Sequence, residues 1–159
     1  MAGRGTPATA LLARHRVAHS LHRYDVPAEA PHYGAEVAAA LGVPPGQVFK
    51  SLVTEVDGSL AVAVVPVTGE LDLKALAAAF GRKRAVLADR AVAERVTGYV
   101  RGGISPLGQR KRLPTVVDSS APQFPAVYVS AGRRGLQVSL APADLIRLTA
   151  AITAPIATT

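Results

Sequence analysis

The chain contains no cysteine and no tryptophan. Without cysteine there are no disulfides, no thiolate zinc sites and no cysteine nucleophile, and nothing calls for an oxidising compartment. Aromatic residues make up 4%, too few for the stacking platforms on which single-strand binders lay successive bases. No apolar run approaches the roughly 20 residues of a membrane helix; the longest, Leu60 to Val67, has strand length and carries a proline. No acid precedes Asp25, so Arg4, Arg14 and Arg16 faintly resemble a transit peptide. Against that, Thr6-Pro7 reads as the N-cap and first residue of a folded helix. With no secretory apolar segment either, the expected location is the cytoplasm.

What is present points to one domain with a packed core. The 159 residues are 49% hydrophobic and 18% charged, enough to bury about two-thirds of the unfolded-chain surface. The net charge of +7 and isoelectric point near 10.4 suggest a polyanionic partner. The cations fall in short clusters in expected turns, Arg82-Lys83-Arg84, Arg110-Lys111-Arg112 and Arg133-Arg134. That distribution suits phosphate-backbone contacts better than a basic tail does.

The periodicity predicts a helix from Pro7 to about Arg16, a strand over Ser20–Tyr24 and a helix from about Gly34 to Leu41, stopped by Gly42-Val43-Pro44-Pro45. Gln47 to Val56 and Leu60 to Val67 read as a hairpin turned at Asp57-Gly58. Asp72 and Asp89 are placed to cap helices ending at Phe80-Gly81 and Thr97-Gly98. Three short strands follow, near Thr115–Asp118, Ala126–Ser130 and Leu136–Leu140. Pro142 opens a last helix to about Ile152, and 153–159 reads as a frayed tail. Strands and helices mixed without βαβ regularity argue for a single α+β domain over 1–159 with a mixed, curved sheet.

Two features stand out as chemistry. Gly102-Gly103-Ile104-Ser105-Pro106-Leu107-Gly108 joins glycines, which let backbone N–H groups approach a ligand closely, to the cations at 110–112. Lys50 is the one charge in the strand Val48-Phe49-Lys50-Ser51-Leu52-Val53. It is either an edge-strand guard against aggregation or a lysine projecting into a pocket, where it can hold a phosphate or polarise a carbonyl. Other readings carry less. His15, His19 and His22 would share a helix face, but the segment reads as turn and strand, so no metal site is expected. Ser105 lacks the Gly-x-Ser-x-Gly setting of a nucleophile, and no histidine follows His32 to complete a triad. There is no P-loop and no dinucleotide fingerprint.

The combination of Thr6-Pro7-Ala8, Tyr24, Val48-Phe49-Lys50-Ser51-Leu52, Gly69-Glu70-Leu71-Asp72-Leu73-Lys74, Thr97-Gly98-Tyr99-Val100 with Gly102 to Gly108, and Tyr128-Val129-Ser130 with Arg134-Gly135-Leu136 resembles the YbaK family. These are free-standing aminoacyl-tRNA deacylases related to the editing domain of bacterial prolyl-tRNA synthetases. The resemblance spans about residues 6 to 152. It implies a barrel-like mixed sheet surrounded by helices, and hydrolytic removal of a wrong amino acid, typically cysteine from tRNA(Pro), without a cofactor. It also implies a substrate-assisted reaction, in which the cysteine sulfhydryl attacks its own ester carbonyl while the protein orients and stabilises charge.

Carried over by position, the resemblance implies that Lys50 anchors the terminal nucleotide or the ester and that Gly103 presents its backbone to the substrate carbonyl. Ser51, where threonine is usual, supplies a hydroxyl. Tyr24 and Tyr33 wall the pocket or touch the terminal adenosine, and Gly102 and Ser105 support the loop. Gln137 stands where relatives commonly carry an acid near the amino-acid pocket, a change that bears on which amino acid is removed. Arg110, Lys111 and Arg112 are the candidates for tRNA phosphates. The expected partners are the charged acceptor end of tRNA and a prolyl-tRNA synthetase on the same tRNA, with the protein itself a monomer. Two other classes remain: a tRNA- or nucleotide-binding module of the same fold without catalysis, and a regulatory member that binds a protein.

Overall fold

The computed structural model describes residues 5–27 and 29–158; Arg4 lies outside them. Its helices are α1 (Pro7–Arg14), α2 (Tyr33–Leu41), α3 (Leu73–Ala79), α4 (Arg90–Thr97) and α5 (Pro142–Thr149). The strands are β1 (His19–Arg23), β2 (Phe49–Val56), β3 (Ser59–Pro66), β4 (Ala85–Leu87), β5 (Thr115–Asp118), β6 (Val127–Arg133), β7 (Leu136–Leu140) and β8 (Ile152–Ala154). Local chemistry explains most of these boundaries. Thr6 caps α1, its Oγ accepting from the Thr9 N–H at 3.1 Å while the Thr9 hydroxyl accepts from the Thr6 N–H at 2.8 Å. Asp57 and Gly58 both take positive φ, 47° and 85°, the geometry of a tight two-residue hairpin.

The strands form two sheets, β1-β7-β6 and β4-β2-β3-β5-β8. The second is mixed, because β3–β5 and β5–β8 run parallel and its other pairs antiparallel. Among the described residues one parallel bridge, Val48 to Tyr128, joins the sheets. The expected α+β class and mixed sheet are therefore present, but the sheets do not close into a barrel. β3 is buried on both faces: Val62 and Val64 enter one apolar cluster with Leu12, Val129 and Leu145, while Ala63 and Val65 enter another with Leu76 and Ile156. This accounts for its unbroken apolar run.

Residues 152–158 are not frayed. β8 pairs with β5, Ile156 is fully buried, and the Thr158 N–H donates to the Glu70 carbonyl at 2.8 Å. The cause is Asp118, whose buried carboxylate accepts from the Ile156 and Ala157 N–H groups at 2.9 and 3.1 Å. α5 ends at Thr149, short of the expected Ile152, because Ala150 turns to φ 53°.

Candidate active site

The hairpin strand β2 builds the centre of the site. Over residues 49–52 it has β3 on one edge only. On the other edge, the one backbone bridge to β6 among the described residues is at Val48, and pairing with β4 starts at Thr54. An unpaired strand edge presents bare N–H and C=O groups. Here that edge borders a cleft of about 220 Å³, whose walls include Lys50, Ser51 and Leu52 from β2, Tyr33 and Val37 from α2, Gly102 and Ile104 from the glycine loop, and Ser130 and Gln137 from the smaller sheet.

The cleft is mainly apolar with a few placed polar groups. The Lys50 side chain is 35% exposed, its Nζ 3.8 Å from a carboxylate oxygen of Glu70, which is itself 86% exposed. A pair so open to water is worth little, so the ammonium remains available. Ser51 Oγ and Gln137 Oε1 are buried and have no hydrogen-bond partner among the described residues. Buried polar atoms are nearly always paired, and two orphans in the wall of one cleft are what a polar ligand would satisfy.

The glycine loop is held over the cleft by three anchors. Glu94 accepts from the Arg101 N–H at 2.9 Å, and this bond, with a smaller effect of Arg90, holds its carboxyl below the usual range. Arg134 Nε donates to the Arg101 carbonyl at 2.7 Å. The Tyr33 hydroxyl donates to the Gly102 carbonyl at 3.2 Å and pairs with the Tyr24 hydroxyl at 2.7 Å. Burial, then the Tyr24 contact, push Tyr33 well above the ordinary tyrosine value, so it stays a neutral donor. Behind the loop, the buried Tyr99 hydroxyl donates to the Leu107 carbonyl at 2.7 Å, and burial pushes its pKa up to about 12.

Residues 29–148 match the model of the aminoacyl-tRNA editing domain. The chain belongs to that family. A curated relative from Enterococcus faecalis, "Putative Cys-tRNA(Pro)/Cys-tRNA(Cys) deacylase EbsC", is 41% identical over 146 residues, 91% of this chain and 88% of its own. A crystal structure described as a putative trans-editing enzyme for prolyl tRNA synthetase superposes with a TM-score of 0.83 at 23% identity, covering 96% of each chain. A scaffold protein used for epitope grafting reaches 0.85, also at 23% identity and 96% of each chain. At such identities these two show the fold alone.

The editing-family resemblance and the cleft draw on many of the same residues, with instructive differences. Lys50, Ser51, Tyr33, Gly102 and Gln137 line it together. Tyr24 reaches it only through Tyr33. Ser105 is fully buried, its Oγ accepting from the Leu107 N–H at 3.1 Å, which suits loop support and leaves no exposed hydroxyl. Gly103 is not among the residues that line the cleft. It is buried, its N–H donates to the Val100 carbonyl at 2.8 Å, and a Cβ there would lie 2.7 Å from the Arg133 backbone. The glycine makes room for the β6–β7 turn, and its donor is already engaged. Arg110, Lys111 and Arg112 are exposed and outside this cleft. Ser130, Arg101 and Ile104 also line the cleft without having been named as site residues; Ser130 and Ile104 belong to the motifs that carry the resemblance, and Arg101 lies directly between two of them.

Proposed function

We propose that this protein hydrolyses mischarged aminoacyl-tRNA in trans, removing cysteine from tRNA(Pro). The supporting observation is the cleft beside the unpaired edge of β2, with Lys50 at hand and two unpartnered polar atoms in a mainly apolar wall. Editing is needed because a small apolar pocket separates near-isosteres by only about 10- to 200-fold. Among the described residues, no side-chain nucleophile paired with a base lines the cleft, which suits a reaction carried by the substrate itself.

In that reaction the cysteine sulfur bonds to its own carbonyl carbon as the bond from that carbon to the ribose oxygen breaks. The sulfhydryl proton passes to the departing ribose oxygen, which leaves as the hydroxyl, and water later opens the cyclic thioester. Negative charge gathers on the carbonyl oxygen. Lys50 Nζ and the bare β2-edge amides are the donors placed to stabilise it, a role that falls to them because the Gly103 N–H is engaged. Ser51 Oγ and Gln137 Oε1 accept from the substrate's ammonium. Gln137 holds it by a dipole where a carboxylate would add charge. The work is cytoplasmic, beside a prolyl-tRNA synthetase that supplies tRNA selectivity the small cleft lacks.

The deciding measurement compares hydrolysis of Cys-tRNA(Pro) and Ala-tRNA(Pro) by wild type and Lys50→Ala. Cysteine release that drops on the order of 100-fold in the folded variant is the expected result. Undiminished turnover would remove Lys50 from the reaction. Preference for alanine would keep the enzyme class and make Gln137 the residue to exchange next. Charged tRNA that binds but is never hydrolysed would favour a binding module.

A further inference from the structure

The sheet face that looks into the cleft continues past it. Residues directly opposite in antiparallel strands share a face, so His22, Gln137 and Ser130 make one row and Ser20, Ser139 and Tyr128 the next. Gln137 and Ser130 end in the cleft; Tyr128 and Ser139 lie outside its lining, about 7 Å further along their strands. The opposite face of these strands carries Val127, Val129, Val138 and Leu140, each at most 2% exposed. The core is thus completed on that side without the polar one.

On the polar face stand two half-buried rings. His22 and Tyr128 meet at a centroid distance of 5.0 Å and a tilt of 49°, and His22 Nε2 is fixed by Ser139 Oγ at 2.8 Å. Neither row contains an acid, a lysine or an arginine. An uncharged aromatic surface edged by hydroxyls suits a nucleobase, since unstacked RNA bases settle on Tyr and His rings and bond by their edges. The sparse aromatics of the chain exclude a platform for many bases, but one base needs only one or two rings. Tyr24 and Tyr33 have their hydroxyls committed to each other and to the Gly102 carbonyl, so they secure the loop.

We propose that His22 and Tyr128 form the resting surface for the 3′-terminal nucleobase of the tRNA whose aminoacyl group enters the adjacent cleft. This rests on the deacylase reading for its ligand, and the test separates the two. A CCA trinucleotide is titrated into wild type, Tyr128→Ala and Tyr128→Phe by NMR, and the same proteins are assayed on Cys-tRNA(Pro). Tyr128→Ala is expected to weaken CCA binding and raise KM on the order of tenfold, the effect of losing one stacked base, while Tyr128→Phe restores affinity to within about twofold. If Tyr128→Ala fails to fold, His22→Ala serves, with a loss of about fivefold. CCA affinity equal in wild type and Tyr128→Ala, or no CCA binding to wild type, overturns the proposal. Tyr128-dependent CCA binding without Cys-tRNA hydrolysis would keep the platform and sink the deacylase reading. Hydrolysis undiminished in Tyr128→Ala would do the reverse.

Discussion

Gly103 shows how a close backbone approach can be legible in a sequence while its partner is not. A paired glycine beside a cationic run signals close backbone approach, and close approach is present, but to Arg133 and Arg134. Sequence spacing carries no information on which of two partners lies thirty residues away in the fold. The same holds for the loop anchors: nothing local to Glu94 or Arg134 signals Arg101, and only tertiary structure brings both to it. The place of Lys50 in a cleft wall, by contrast, is legible, because a lone cation in an apolar strand is a local anomaly. Replacing Gly103 by alanine forces the loop off the β6–β7 turn. We expect a loss of about 1–3 kcal/mol, as for other overpacking changes, read as a lowered urea midpoint. A midpoint equal to wild type would mean that the loop yields freely and is not pinned there.

At the scale of elements, the sequence served best where the chain's own neighbours decide the structure. Asp57-Gly58 gave the hairpin, Thr6-Pro7 the start of α1 and Gly98 the end of α4, where φ reaches 81°. β4 and β8 went unseen because each is three residues long, too short to show a period, and each exists only through a strand distant in sequence. Asp118 organises the second of them. Its carboxylate accepts from Ile156, Ala157 and Ser120 backbone amides and from the Ser120 hydroxyl. Asp118→Ala leaves these donors without an acceptor, at a cost of a few kcal/mol since charged hydrogen bonds contribute about 1.5–3 kcal/mol each. Hydrogen exchange should show the amides of 152–158 losing protection first. Protection that survives in the variant would mean that Ile156 packing alone holds the strand.

For the molecule as a whole, charge is the property left over after folding. Among the described residues only three ion pairs form, and none involves the clusters at 82–84 or 110–112. Cations without an internal ion pair are available to a polyanion. Each phosphate neutralised on single-stranded or duplex nucleic acid adds about 0.7 to 0.9 to the slope of log affinity against log salt. Replacing Arg110, Lys111 and Arg112 together by alanine should therefore flatten that slope for tRNA by about 2 and raise KM. An unaltered slope would place the phosphates elsewhere, with the 82–84 cluster the next to test.

Burying β3 on both faces also has a kinetic consequence. Its parallel neighbour β5 begins only at Thr115, and pairings between distant segments form slowly. Until β5 arrives, the chain displays Leu60-Ala61-Val62-Ala63-Val64-Val65, an uncharged stretch of high strand preference without proline, the composition from which cross-β aggregates grow. Pro66 and the Asp57-Gly58 turn bracket that stretch and limit how far a mispaired neighbour can zip along it. The segment that gives the native domain its centre is thus also the one through which an unfinished copy would find another.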